Sequence, residues 1–140
     1  MSLSRSYAEL LRRTLLNTPT LTAYVGDRIW TAQIAEIASQ NPAPTLEYPI
    51  VSFSMDTPSR DLDVPDVVYL SFRIWTWSKN SHEEASNIYD TIYAVLHRLR
   101  IADTTLQAVQ NEIAGPTSYM DPEAQTYATV SRWDARVIHK

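Results

Sequence analysis

The chain has no cysteine and only two glycines among its 140 residues, and each scarcity removes a class of function. Without thiols there is no disulfide framework and no thiolate metal site, which fits a reducing compartment. Two glycines cannot build a phosphate-cradling loop or a serine nucleophile elbow, because both need glycine at set offsets so that backbone amides approach the substrate. No apolar stretch approaches the ~18 residues of a membrane span, and Met1 to Leu16 spaces its apolar residues helically, so the chain reads as soluble and uncleaved. Twelve basic against sixteen acidic residues give a net charge of −4. No cluster of Lys or Arg forms a stripe along the sequence that could neutralise a row of phosphates, which disfavours direct nucleic-acid binding. The three histidines, His82, His97 and His139, lie far apart. Glu83 and Glu84 beside His82 read as partners of a helix dipole rather than as metal ligands. The acidic stretch Asp56 to Asp66 lacks the alternating ligands and central glycine of a calcium loop. These absences predict no enzyme, and no catalytic, cofactor-binding or metal site.

What is present is a hydrophobic fraction of 44%, enough for one domain over residues 1–140 that buries roughly 68–70% of its unfolded-state surface. The stretch Val67 to Trp77 reads as its central strand. Val68, Leu70, Phe72 and Ile74 make one apolar face, while Tyr69, Ser71, Arg73, Trp75 and Trp77 make the other, since successive side chains on a strand alternate. The apolar face is expected to meet the core and the long helix that follows. That helix starts at a capping box, Ser81 with Glu84, and carries an apolar stripe through Ala85, Ile88, Tyr89, Ile92, Val95, Leu96 and Leu99. Glu83 and Glu84 in its first turn and His97, Arg98 and Arg100 at its end match the helix dipole.

Around this unit, Tyr7, Leu10, Leu11, Thr14 and Leu15 recur at helical spacing in a first helix ending at Asn17, with Glu9, Arg12 and Arg13 pointing away. Thr18-Pro19 opens a single turn through Leu21, Tyr24 and Val25 that stops at Gly26, a position that calls for positive φ. Residues Ala32 to Ser39 could add a helical turn or two. Ile50 to Met55 reads as a strand pairing with the central one. Asp56 to Asp66 is too long for a tight hairpin and reads as a protruding acidic tip. Leu106 to Ile113 is a weaker strand, Gly115-Pro116 turns, and Thr117 to Ala124 is a loop exposing Tyr119. Tyr127 to Val137 alternates as a half-buried last strand. The fold class is therefore α+β: a single mixed, mainly antiparallel sheet of about four strands, with an N-terminal helix and one long helix packed on it.

Trp75, Trp77, Tyr69 and Trp133 admit two readings. They sit under a helix as core, or, with Arg73 and Ser71 on the same strand face, they form an oligomer contact. The acidic tip, with Arg60, Asp61 and Asp63, and the Tyr119 loop are plain solvated loops or contact surfaces. Candidate interface residues are thus Arg60, Asp61, Asp63, Tyr69, Arg73, Trp75, Trp77 and Tyr119.

The order of these features carries a resemblance. An amphipathic N-terminal helix, Val25-Gly26-Asp27-Arg28-Ile29-Trp30, then Tyr48-Pro49-Ile50-Val51 is similar to the small tail-completion or tail-terminator proteins of long-tailed bacteriophages. So are Ile74-Trp75-Thr76-Trp77-Ser78, the helix from Glu83 to Leu99 and a closing strand with Arg132. The similarity spans nearly the whole chain and departs at Thr31 to Thr45. It implies a structural virion protein whose copies close into a ring, a hexamer, that caps the tail tube and meets the head connector. Its partners would be its own copies, the tail tube protein and the connector, with no membrane. Its place would be the virion tail, after the host cytoplasm. Six copies at −4 each would carry about −24, a charge that lets DNA pass through a channel without being bound. A head-tail connector or adaptor component, and a small ligand-binding or enzyme-accessory domain with its pocket on the Arg73 face, are the alternatives.

Overall fold

The structure is a computed structural model that describes residues 3–32, 36, 39, 46–56, 59–60, 66–122 and 125–140. Its elements are α1 (Leu3–Leu16), α2 (Pro19–Val25), β1 (Ile29–Trp30), β2 (Ile50–Met55), β3 (Ser59–Arg60), β4 (Val67–Ser78), α3 (His82–Leu96), β5 (Arg100–Ala102), β6 (Leu106–Asp121) and β7 (Thr126–His139). Seven strands join one sheet in the order β1-β2-β4-β7-β6-β5, with β3 beside β4 off that path. The expected count of about four strands is too low. The short strands β1, β3 and β5 run two or three residues each, too short to show an alternation in sequence. β1 pairs parallel with β2 and the other pairs are antiparallel.

β4 is the central strand, held over its whole length by β7 and along its second half by β2. Its face of Val68, Leu70, Phe72 and Ile74 is buried together with Trp133, Ala135 and Val137 of β7 and the inner residues of α1 and α3. Phe72 stacks on Trp133 at 6.3 Å and takes the edge of Tyr7 from α1 at 5.8 Å. Trp133 is therefore core. All the helices described lie on this one side: α1 and α3 pack on the sheet and α2 bridges them.

Several ends are set by polar contacts that periodicity does not announce. Ser81 caps α3 by accepting from the Glu84 amide at 3.1 Å, as the capping box predicts. The Glu84 carboxylate, however, does not reach back to the Ser81 amide; it accepts from the Ser78 hydroxyl at 2.8 Å and from Asn80. α3 also ends earlier than its apolar stripe suggests. Buried Gln110 on β6 donates to the Leu96 and Leu99 carbonyls, both at 2.7 Å, and Arg98 turns the chain at φ 63. Arg98 and Arg100 thus lie beyond the helix, and its last turn holds no basic residue. Gln110 also accepts from the Tyr7 hydroxyl at 3.0 Å, so one amide ties α1, α3 and β6 together. Burial raises the Tyr7 pKa well above its ordinary value and keeps that hydroxyl a donor.

Arg12, expected to point away, instead donates from Nε to the Ile29 carbonyl at 2.6 Å and fastens α1 to β1. Gly26 sits at φ 58, as expected of the residue ending α2. Gly115 does not end a strand. β6 runs straight through it with two register shifts, between Glu112 and Ala114 and between Ala114 and Thr117, and continues to Asp121. Gly115 lies at φ 112, where a Cβ would stand 3.0 Å from the Ser131 backbone, so glycine is what lets β6 cross β7 closely while bulging. Thr117 to Asp121 is accordingly strand rather than loop, paired with Val130 to Thr126. The expected helical turn within Ala32 to Ser39 lies largely outside the described residues, as does most of the acidic tip; the tip's middle holds β3, paired with Tyr69 and Val68.

Candidate functional site

Every described helix lies on one side of the sheet, and none of them covers the other face. The β4 residues Tyr69, Ser71, Arg73, Trp75 and Trp77 point there, and register puts their β7 partners beside them: Arg136, Asp134, Arg132, Val130 and Ala128. From β6, Val109, Asn111, Ala114, Thr117 and Tyr119 join the same face, because directly paired residues share a side.

This face has two halves. At the C-terminal end of β4, Trp75 and Trp77 stack at 5.3 Å and Tyr119 meets Trp75 edge-on at 6.3 Å. The Trp77 Nε1–H donates to the Ser52 hydroxyl of β2 at 3.1 Å, tying the ring to the neighbouring strand. No described helix covers either tryptophan; both are half-buried, and Tyr119 remains 46% exposed. The Trp75 Nε1–H is enclosed and has no hydrogen-bond acceptor among the described residues.

The other half is polar and basic. Arg73 stands directly across from Arg132, and Arg136 is bracketed by Tyr69 and Val109. Arg100 on β5 pairs with Val109 and lines one shallow depression with Arg136. Asp134 accepts from the Ser71 hydroxyl at 2.7 Å and is the one acid among them. A larger depression of about 590 Å³ runs between Tyr69, Asn111, Asp134 and Arg136. A third lies against Arg73, Gly115 and Arg132. Among the described residues none of these four arginines forms an ion pair. The sequence shows no basic stripe because these arginines are dispersed from position 73 to 136; pairing register alone gathers them.

Of the sequence-derived candidates, Tyr69, Arg73, Trp75, Trp77 and Tyr119 fall together on this face. The Arg60 backbone pairs with Val68 at the edge of the same strand, whereas Asp61 and Asp63 lie outside the described residues. Arg100, Arg132, Arg136 and Asp134 were missed as site residues. Their signal was the period-2 placement of Arg132, Asp134 and Arg136 opposite an apolar set on β7.

No group here is arranged for chemistry. No set of three or more His, Asp or Glu converges among the described residues. His97 accepts from the Glu112 amide at 3.3 Å and stacks on Tyr93. The Tyr89 hydroxyl donates to Glu112, and burial followed by that carboxylate raises its pKa. These are structural contacts behind the core.

The face is broad, aromatic at one end and charged at the other. Residues 9–138 match the family described as tail completion protein gp17. The chain belongs to that family. It is thus a structural tail protein of phage-like particles and not an enzyme. No curated protein matches it by sequence. Among solved structures, a chain from a structure titled virion of native gene transfer agent particle shares the fold, with a TM-score of 0.75 and 14% identity, over 99% of this chain and 100% of that one.

Proposed function

We propose that this tail completion protein closes into a ring of identical copies that caps the finished tail tube and forms the junction to the head connector. The observation that carries this reading is the aromatic and arginine-bearing sheet face that no described helix covers. Ring closure needs two different complementary patches on each subunit. A two-layer fold with every described helix on one side and an aromatic, arginine-bearing sheet face on the other supplies two unlike surfaces. Six copies at −4 each would total about −24, so the assembled ring repels DNA overall and lets it pass through the lumen. The copies form in the host cytoplasm and end in the virion.

Sedimentation and electron microscopy of the purified protein, with and without tail tubes, test this directly. Rings, or tubes closed at one end by added protein, are the expected result; a monomer at every concentration that leaves tubes open would overturn it. Binding to connectors but never to tubes would favour an adaptor role. The depression beside Tyr69 and Asp134 favours, as a second reading, a small ligand on the sheet face. A monomer whose melting temperature rises with a small-molecule ligand would support that reading instead.

A further inference from the structure

The charges of this protein are segregated between its two sides. The polar half of the outer sheet face carries Arg73, Arg100, Arg132 and Arg136 against Asp134, a local balance of +3. Since the whole chain is −4, everything else together carries −7. Part of that acidity is concentrated on the opposite side of the molecule. The exposed stripe of α3 holds Glu83, Asn87, Asp90 and Ala94, at the spacing of one helix face, with partly exposed Glu84 beside it. Not one Lys or Arg occurs between Lys79 and Arg98 to balance it. Neither Glu83 nor Asp90 forms an ion pair among the described residues.

We propose that the arginine-bearing sheet face of one copy receives the acidic outer face of α3 from the next, so that copies stack front to back. This rests on the ring reading above and names the two patches it needs. The occupant is a second copy because both halves of the match are present on one chain, on opposite sides of it. A contact of that kind is heterologous and repeats from copy to copy, as ring closure requires. The shape agrees: shallow depressions run along the face from Arg100 to Arg73, where a helix of ~10 Å diameter could lie. The Trp75, Trp77 and Tyr119 cluster at one end supplies the aromatic anchor that charged contacts alone do not give. Nucleic acid fits the face less well. Asp134 stands amid the arginines, and the rest of the chain repels phosphate.

The absence of native cysteine makes a clean experiment possible. A variant carrying both Arg132→Cys and Asp90→Cys places its thiols on opposite sides of one subunit, so a disulfide between them can form only across copies. Under mild oxidation it should give a ladder of covalent oligomers, while each single variant stops at a dimer or below. No ladder from a protein that still assembles would overturn the proposed pairing and leave the ring intact. Charge reversal provides the second arm. Arg132→Glu with Arg136→Glu should raise the concentration for half-assembly about tenfold or more, as should Glu83→Lys with Asp90→Lys, and combining all four should restore it. Circular dichroism should stay unchanged and melting should shift only slightly, since all four side chains are exposed. Reversals that leave assembly untouched overturn the proposal. So does an arginine reversal that abolishes binding of duplex DNA while rings persist, because the occupant is then nucleic acid. A wild-type chain that never assembles, even on tail tubes, overturns the ring reading and this pairing together.

Discussion

Along β4, alternate side chains meet two different surroundings. Val68, Leu70, Phe72 and Ile74 are at most 5% exposed, whereas Tyr69 is 42% exposed and Arg73 is open to solvent. On the inner side these side chains share one core with residues of α1, α3 and β7, so removing one leaves a hole. On the outer side Tyr69 and Arg73 are exposed, so removing one leaves no hole. The inner face of this twelve-residue strand therefore carries stability, and on the proposed ring reading its outer face carries assembly. Substitutions should separate the two cleanly.

The sharpest test is Phe72→Ala. Phe72 is fully buried between Tyr7 and Trp133, and truncating it should cost about 3–5 kcal/mol by chemical denaturation. A loss below ~1 kcal/mol would mean that the two faces do not differ as described.

Next comes Gly115→Ala, which tests how the two faces are joined where β6 bulges against β7. Its φ of 112 and a Cβ position 3.0 Å from Ser131 and 3.1 Å from the Val130 carbonyl leave no room for a side chain. The substitution should cost about 1–3 kcal/mol in the same assay and loosen the far half of β6 that presents Tyr119. Hydrogen exchange at Thr117 to Met120 should then speed up relative to wild type, while exchange at Phe72 and Ile74 scales only with global stability.

The inner face was legible from sequence because apolar period 2 on β4 and apolar period 3.6 on α1 and α3 are unambiguous over a dozen residues. The outer face was legible only in part. Trp75 and Trp77 stood out by type, but nothing along the chain tells whether an aromatic lies under a helix or on open sheet. Local composition puts Tyr119 on a loop, because Gly115-Pro116 reads as a turn; tertiary pairing with β7 overrides that signal. Gln110 looked like an ordinary polar residue of a weak strand, yet it ends α3 and holds Tyr7. The arginine cluster depends on register across three strand pairs, which one sequence does not specify.

A smaller effect distinguishes the sheet faces from the sheet edge. At the β5–β6 turn the Asp103 carboxylate accepts from the backbone amides of Thr105 at 2.7 Å and Leu106 at 3.0 Å and pairs with Arg13 of α1 at 3.1 Å. Those amides first, and Arg13 after them, hold its pKa below the ordinary value against a small opposing effect of burial. A depressed folded-state pKa contributes stability above the unfolded pKa, and that contribution is lost as pH falls through the folded value. Asp103→Asn should therefore be less stable than wild type at neutral pH, with the gap closing below about pH 4. Urea midpoints of the two proteins across that range measure it; a gap constant with pH would show that the carboxylate charge contributes nothing.

The smallest effect carries the comparison furthest, because its expected sign is opposite to that of the core substitutions. Arg73 and Arg132 stand directly across from each other on the outer face, and neither forms an ion pair among the described residues. Like charges facing each other across an antiparallel pair destabilise by a few tenths of a kcal/mol, on the order of 0.2–1. Arg132→Ser should thus leave the isolated subunit as stable as wild type or slightly more so, with the gain shrinking as salt screens the repulsion. If the face exists for assembly, the same change should weaken association, so thermal melts of the subunit and sedimentation of the assembled form should move in opposite directions. A substitution that lowers both would show that Arg132 supports the fold, and the division of labour between the two faces of β4 and β7 would not hold at that position.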